Sequence, residues 1–231
     1  MADRPTSPGA ATTGRSPFPP DIADARAAVA HAYRDLGHAF SAHALEANLL
    51  DDLRSTLDEW TRRLDEAGIP RTRADERGPQ EWVRPPQDGE AMSSFDDRPI
   101  SGRAAPIGID LDIVREGDEA VARFTLGRAH EGAPDRSHGG IVAAVLDDVY
   151  GFVLTIVEQP GFTGTLTVRY EAGTPIGEPL ECRVRLDGRD GRKLFMSGEV
   201  SSADRSRRYA SSTATFIGVD FESFRRTAKP T

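Results

Sequence analysis

The spacing of apolar residues predicts helix in the first third of the chain. From Asp21 to about Gly68, large apolar side chains recur at steps of three and four, which places them on one helix face. Gly68 and Pro70 end the pattern. We expect two helices, or one bent helix, packed against the main domain or against a second copy of the chain. The stripe consists of Val29, Tyr33, Leu36, Phe40, Leu45, Leu49, Leu53, Leu57, Trp60 and Leu64.

The apolar period changes to two at Ile107, which is typical of strands. The alternation runs from Ile107 to Ile113, "REGDE" predicts a turn, and a returning strand covers 120–127. Four more strands are predicted at 162–172, 180–188, 193–203 and 208–219. With one apolar helix between the second and third strands, the pattern predicts an α+β domain, a mostly antiparallel sheet with one helix packed on it. In the strand 162–172, Thr163, Thr165, Thr167 and Arg169 are expected to lie on one face, and Phe162, Leu166, Val168 and Tyr170 on the other.

The apolar segment 139–157 is predicted to be a buried helix with two adjacent aspartates. The residues expected to face the sheet fall within one arc of the helix circumference. The residues on the opposite side, around Asp147, are small or apolar. A buried carboxylate is costly unless it is paired. We expect Asp148, at the edge of the sheet-facing side, to pair with or cap a neighbouring loop. Asp147 has no opposite charge three or four residues away, so we expect it to be functional. The sheet-facing residues are Ile141, Val142, Val145, Leu146, Val149, Phe152, Val153 and Ile156, and the opposite ones are Ala143, Ala144, Asp147, Gly151 and Leu154.

The helix is preceded by His138, Gly139 and Gly140. First-turn amides have no partner within a helix and can hold a carbonyl oxygen that gains negative charge. His-Gly-Gly is also an ordinary turn, and His138 can equally be a structural histidine. Nine residues of helix span about 13–14 Å, so His138 and Asp147 of one chain cannot contact the same reacting atom. Either they are unrelated, or two subunits share the site, which the small-residue face around Asp147 favours.

Composition narrows the function classes. A net charge of −8 argues against nucleic acid as the main partner. The single cysteine, Cys182, excludes an intrachain disulfide, and no Cys/His cluster has metal-ligand spacing. We find neither a signal peptide in the first twenty residues nor the roughly 20 apolar residues of a membrane span, and we expect a cytoplasmic protein. The predicted organisation is a disordered tail (1–20), a helical extension (21–68), a connector (69–100), the α+β domain (101–219) and a C-terminal tail (220–231).

Two stretches carry a resemblance to a known family. "HGGIVAAVLDDVYG" followed by "TGTLTVRYEAGTPIGEPLECRVRLDGRDGRK" resembles the hotdog-fold acyl-CoA thioesterases, in particular the phenylacetate-pathway (PaaI-like) branch and its animal relatives. The resemblance covers about half of the chain, from about Ser101 to Val219, and leaves out the helical extension. It implies a long helix wrapped by a curved antiparallel sheet. It also implies a homodimer, or a dimer of dimers, with two sites at the subunit interface.

The resemblance also assigns roles to residues. It implies that the Gly139 N–H polarises the thioester carbonyl beside His138, that Asp147 acts from the other subunit as general base or nucleophile, and that Thr163 orients the attacking water. Acyl-CoA is then the substrate, and neither a metal nor a bound cofactor is required. Further candidates for substrate contacts are Gly140, Arg103, Arg169, Arg192 and Lys193, the basic ones through the phosphates of CoA.

One position departs from the family pattern, and several functions stay open. Some members carry an Asn six residues before the histidine as a second carbonyl donor. Here that residue is Gly132, so His138 or a backbone amide has to replace it. The alternatives are a non-catalytic acyl-CoA-binding protein, a hydratase (which usually pairs an Asp and a His a few residues apart in one chain) and an assembly protein that works through the 21–68 helices. The acyl group and the pathway are not predicted.

Overall fold

The computed structural model describes residues 16–69 and 85–220. Most of the predicted N-terminal tail, part of the connector and nearly all of the C-terminal tail lie outside these residues. Two helices precede an α+β domain that contains a third helix and eight strands. The elements are α1 (Pro20–Ala42), α2 (Ala47–Ala67), β1 (Asp112–Glu116), β2 (Glu119–Thr125), a 3₁₀ turn (Arg128–His130), β3 (Glu131–Ala133), β4 (Arg136–Ser137), α3 (Gly139–Ile156), β5 (Gly161–Tyr170), β6 (Pro179–Asp190), β7 (Lys193–Ser202) and β8 (Arg208–Gly218).

The six long strands form one antiparallel sheet that packs on α3. Their order is β1-β2-β6-β7-β8-β5, and every neighbouring pair is antiparallel. The helix contacts β2, β5, β6 and β7. This arrangement confirms the predicted α+β hotdog fold with its N-terminal helical region.

Helix α3 is the core of the domain. Ten of its eighteen residues are buried, although by length and composition alone the helix could cross a membrane. Tyr150, which the pattern did not assign to the core, is fully buried, and its hydroxyl lies 2.7 Å from Ser212 Oγ. Burial raises the pKa of Tyr150 to about 12. Leu154, predicted on the opposite side of the helix, is buried as well.

The first strand begins later than the alternation predicted. Residues 107–111 lie outside β1, which starts at Asp112. The Gly108 N–H donates to Ala105 O and the Ile109 N–H to Ile100 O, so backbone groups that a strand would use are engaged in turns. Pro106 also lacks an N–H for a ladder. The short β3–β4 hairpin was not predicted, because strands of three and two residues are too short to show an alternation of apolar and polar positions.

A β-bulge changes the predicted faces of β5. Thr163 pairs with Phe216 but Thr165 pairs with Thr215, so Gly164 is the extra residue. The bulge moves Thr163 from the face of Thr165 to the helix-facing side, where Leu166 also lies. The predicted grouping of Thr163 with Thr165 was therefore wrong, because strict alternation cannot register an inserted residue.

The two edges of the sheet differ. Residues 89–92 cover the outer edge of β1: the Met92 N–H donates to Ile113 O at 2.7 Å and the Arg115 N–H to Glu90 O at 3.0 Å. At the other edge, β5 pairs only with β8 among the described residues. An unpaired strand of ten residues is a template for another strand.

The N-terminal helices are present, but their apolar stripe does not pack on the domain. Helix α1 docks through its small face, where Ala23 and Ala30 are buried, and through Arg34, which donates to Ala105 O at 2.9 Å. Helix α2 has no buried residue. The predicted packing of these helices on the main domain is therefore confirmed for α1, although the large side chains of the stripe stay mostly exposed. Packing against a second copy of the chain stays a prediction.

Candidate active site

The start of α3 is held by His138. The His138 Nδ1 accepts the Gly140 N–H at 3.0 Å, so in the neutral ring the proton lies on Nε2. The predicted Gly140 amide is therefore engaged within the helix cap. Among the described residues no group accepts the Gly139 N–H, which leaves this amide free for an incoming oxygen. The Tyr170 hydroxyl donates to Gly139 O at 2.8 Å and so holds the next peptide, the one that carries the Gly140 N–H.

The structure accounts for the glycine at position 132. A Cβ on Gly132 would lie 2.7 Å from His138 Cα and 3.1 Å from its ring Cδ2. The His138 side chain therefore occupies the space next to this backbone, and no side chain fits at position 132. Both replacements considered for the missing Asn, His138 and a backbone amide, stay open. Because Nδ1 accepts the Gly140 N–H, the Nε2–H is the donor that a neutral His138 ring can offer.

Asp147 and Thr163 come together on the helix-facing side of β5. Thr163 Oγ1 donates to Asp147 Oδ1 at 2.8 Å. Asp147 is half-buried, as are Ala143, Ala144 and Gly151 on the same side of α3. This hydrogen bond orients the carboxylate through Oδ1 and leaves Oδ2 available to accept a hydrogen bond or a proton. A carboxylate held this way can accept a proton from water.

Asp148 has a different environment. Its carboxylate is buried and accepts the Arg98 Nε–H at 2.5 Å, while Arg98 Nη2 donates to Asp148 O at 2.6 Å. The Arg98 guanidinium also lies 4.8 Å from the centre of the Phe152 ring. The expected salt bridge from Asp148 to a loop is confirmed. The connector has no periodicity, so no local pattern pointed to Arg98 as the partner of Asp148.

The two halves of the predicted site are separated within one chain. Gly139 and Asp147 lie on the same uninterrupted helix, eight residues and thus about 12 Å apart along its axis. One thioester carbon cannot contact both. Tyr170 and Thr163, which bond to these two positions, lie at opposite ends of β5.

The predicted basic residues fall into two groups. Arg103 bridges Asp96 at 2.8 Å and Asp24 of α1 at 2.6 Å, so its guanidinium is already engaged. These carboxylates raise its pKa above the usual value. Arg192 and Lys193 are exposed at the start of β7, near Thr163, because Lys193 and Phe162 both pair with Ile217. Arg169 is exposed at the other end of β5.

Comparison with known proteins supports the fold and the resemblance. No protein-family profile matches the chain. The chain superposes on a solved thioesterase superfamily protein with a TM-score of 0.68 at 24% identity, over 88% of this chain and 94% of that one. Since 101–219 is only about half of the chain, this superposition includes part of the N-terminal region.

Sequence relatives point in the same direction. The chain is 29% identical to mouse (Mus musculus) acyl-coenzyme A thioesterase THEM5 over 104 residues, which is 45% of this chain and 42% of that protein. It is 30% identical to bovine (Bos taurus) acyl-coenzyme A thioesterase THEM4 over 118 residues, which is 50% of this chain and 48% of that protein. The matched stretch thus spans less than half of each relative. The fold is that of the hotdog thioesterases, and the resemblance to them is confirmed, whereas the phenylacetate-pathway branch stays a prediction.

Proposed function

We propose that this chain hydrolyses acyl-CoA thioesters to a free acid and CoA. The proposal rests on the hydrogen bond between Thr163 and Asp147. This bond orients a half-buried carboxylate for which we find no structural role. The similarity to acyl-CoA thioesterases supplies the substrate class. Asp148, one residue away, differs because its carboxylate is neutralised by an ion pair with Arg98, as expected of a structural carboxylate.

The residues provide the groups that thioester hydrolysis requires. Asp147 accepts a proton from the attacking water as general base, while Thr163 holds the carboxylate and orients that water. The Gly139 N–H and the His138 Nε2–H donate to the carbonyl oxygen as negative charge develops on it. The carbon–sulfur bond then breaks, and CoA leaves as the thiol after its sulfur takes the proton that Asp147 received from the water. This route needs no metal, and a nucleophilic attack by Asp147 would use the same contacts.

The separation of the two half-sites argues for a site shared by two subunits. In our proposal the open edges of two β5 strands pair antiparallel about a two-fold axis. An axis at Thr167 sets Leu166 opposite the partner subunit's Val168, and the bulge at Gly164 then brings Thr163 opposite the partner subunit's Tyr170. Asp147 then approaches the partner subunit's Gly139, and the dimer has two sites. The half-buried small residues around Asp147 support a close subunit contact there.

Arg192 and Lys193 are the best placed of the predicted basic residues to hold the phosphates of CoA. Both are exposed at the Thr163 end of the sheet, and Arg169 of the partner subunit would lie at that end in the proposed dimer. We give Arg103 no part in phosphate binding, because its guanidinium already bonds to Asp96 and Asp24. The assignment to the PaaI-like branch and a cytoplasmic location belong to the same proposal.

Release of free CoA thiol from a panel of short, long and aryl acyl-CoAs tests the activity. Turnover of at least one class supports the proposal and identifies the acyl group. No turnover, together with a melting temperature raised by acyl-CoA, would favour the non-catalytic binding protein.

A mixing experiment tests the shared site. Gly139→Pro removes the N–H at the first helical position, where proline is tolerated, and His138 has the φ of −62° and ψ of 134° suited to a residue before proline. Gly139→Ala is the matched control, since it places a comparable Cβ 3.0 Å from Tyr170 Cζ but keeps the N–H. Gly139→Pro and Asp147→Asn are each expected to be inactive. Refolded together, they should regain about a quarter of wild-type activity, because about half of the dimers carry one intact site. Activity that never returns contradicts a shared site.

A further inference from the structure

Helix α1 contacts the turn that leads into the candidate site. The His38 Nδ1 accepts the Ala129 N–H at 3.0 Å, and Ala129 lies in the 3₁₀ turn after β2. The His38 ring also meets the His130 ring edge-to-face at a centroid distance of 4.8 Å. A side chain at Gly127 would lie 2.6 Å from His38 Nδ1, so the absence of one makes room for the ring.

The same 3₁₀ turn is hydrogen-bonded to the residue that precedes α3. His130 O accepts the His138 N–H at 2.8 Å. His138 is the residue that caps the helix and precedes the free Gly139 amide. Helix α1 is therefore connected to the proposed oxyanion-binding group in two steps. His38 bonds to Ala129, and the adjacent His130 bonds to His138.

Helix α1 is anchored independently of this contact. Arg34 donates to Ala105 O at 2.9 Å and to Asp110 at 2.8 Å, and Arg103 bonds to Asp24 at 2.6 Å. These anchors hold α1 on the loop 96–110, away from the turn. Helix α1 therefore keeps these anchors when His38 is substituted, so the contact of His38 with Ala129 can be tested separately from the docking of the helix.

We propose that His38 is a positioning residue for the oxyanion-binding donors. By fixing Ala129 and His130 it fixes the His138 N–H, and through His138 the directions of the Gly139 amide and the His138 ring. A donor displaced by a fraction of an ångström loses most of its effect on a transition state while it binds the ground state nearly as well. This role rests on the proposed thioesterase function and gives the N-terminal extension a part in it.

Three full-length variants test the role. His38→Ala removes the acceptor, and His38→Asn restores one near the position of Nδ1. His43→Ala is the matched control, because His43 directly follows the same helix and its ring bonds to Ala39 O of that helix at 2.8 Å rather than to the turn. We expect His38→Ala to lower kcat about tenfold with KM within about twofold of wild type. His38→Asn should recover kcat to within about twofold, and His43→Ala should not change it.

Hydrogen–deuterium exchange separates this inference from the proposed function. In His38→Ala the peptide containing the His138 N–H should exchange several-fold faster, while a β7 peptide should not change. Unchanged exchange at His138, or unchanged kcat in a chain that turns over acyl-CoA, overturns the positioning role and leaves the thioesterase standing. Exchange that rises equally in β7 also overturns it, because His38 then merely stabilises the fold. If the wild type does not turn over acyl-CoA, the proposed function fails, and the exchange at His138 alone decides whether α1 controls the helix start.

Discussion

Replacing Arg98 with methionine leaves the Asp148 carboxylate buried without its counter-ion. Asp148 Oδ1 bonds to Arg98 Nε, and Asp148 Oδ2 has no hydrogen-bond partner among the described residues, so Arg98 supplies the compensation for this charge. Removing one member of a buried ion pair costs about 3–5 kcal/mol. Because the Arg98 side chain is 25% exposed, we expect the lower end, about 3 kcal/mol. For a chain of this size that loss lowers the melting temperature by about 6–12 °C.

Urea unfolding followed by circular dichroism at one fixed protein concentration measures this cost. Arg54→Met on α2 is the matched control: its side chain is 66% exposed beside Asp58, and its loss should cost less than about 0.5 kcal/mol. The double variant Arg98→Met/Asp148→Asn should recover at least about 1 kcal/mol, because the unpaired charge is gone. An Arg98→Met chain as stable as the control variant would refute the reasoning.

Three further predictions follow from the site and its surroundings. Burial, with a smaller effect from the neighbouring His38, lowers the pKa of His130 from 6.5 to about 4. Between pH 6.5 and pH 4 the unfolded chain therefore binds a proton that the folded chain does not. The free energy of unfolding should be highest above pH 6.5 and fall by about 1–2 kcal/mol towards pH 4, which is less than the whole shift would give because part of the ring reaches solvent. Urea titrations across this range should show a flatter dependence for His130→Gln, and identical slopes would contradict the assignment. Thr163→Val should lower kcat about tenfold in the thiol-release assay while Thr163→Ser keeps most of it, and Thr165→Val, on the other face, should behave as wild type; equal effects of the two valines would argue against the bulge. Gly132→Ala should lower both melting temperature and kcat through its clash with His138, whereas Gly188→Ala, where a Cβ meets nothing within 4 Å, should alter neither.

The sequence predicted those parts of the molecule that local period and residue chemistry determine. The helix 139–157, the four strands after it and the salt bridge of Asp148 all follow from which residues are apolar and which are charged. The spacing of His138 and Asp147 along one helix also predicted that these two residues of one chain cannot contact the same atom, so that they are either unrelated or parts of a site shared by two subunits.

The remaining features depend on contacts between distant residues. Gly164 looks like any strand glycine until its pairing with β8 shows the bulge that turns Thr163 towards Asp147. Arg98 lies in a segment without periodicity, so nothing local pairs it with Asp148. His38 is not part of the apolar stripe by which its helix was predicted to pack, and its bond to Ala129 spans 91 positions of sequence.

Acyl-CoA hydrolysis by Asp147→Asn and Asp148→Asn, compared side by side, tests the central claim most directly. Both substitutions remove one negative charge from adjacent positions of α3 and keep the shape of the side chain. We predict that Asp147→Asn lowers kcat at least about a hundredfold, as loss of a general base does, with little change in melting temperature. Asp148→Asn should lower the melting temperature and keep turnover within a few-fold of wild type. Turnover that survives in Asp147→Asn would contradict the account.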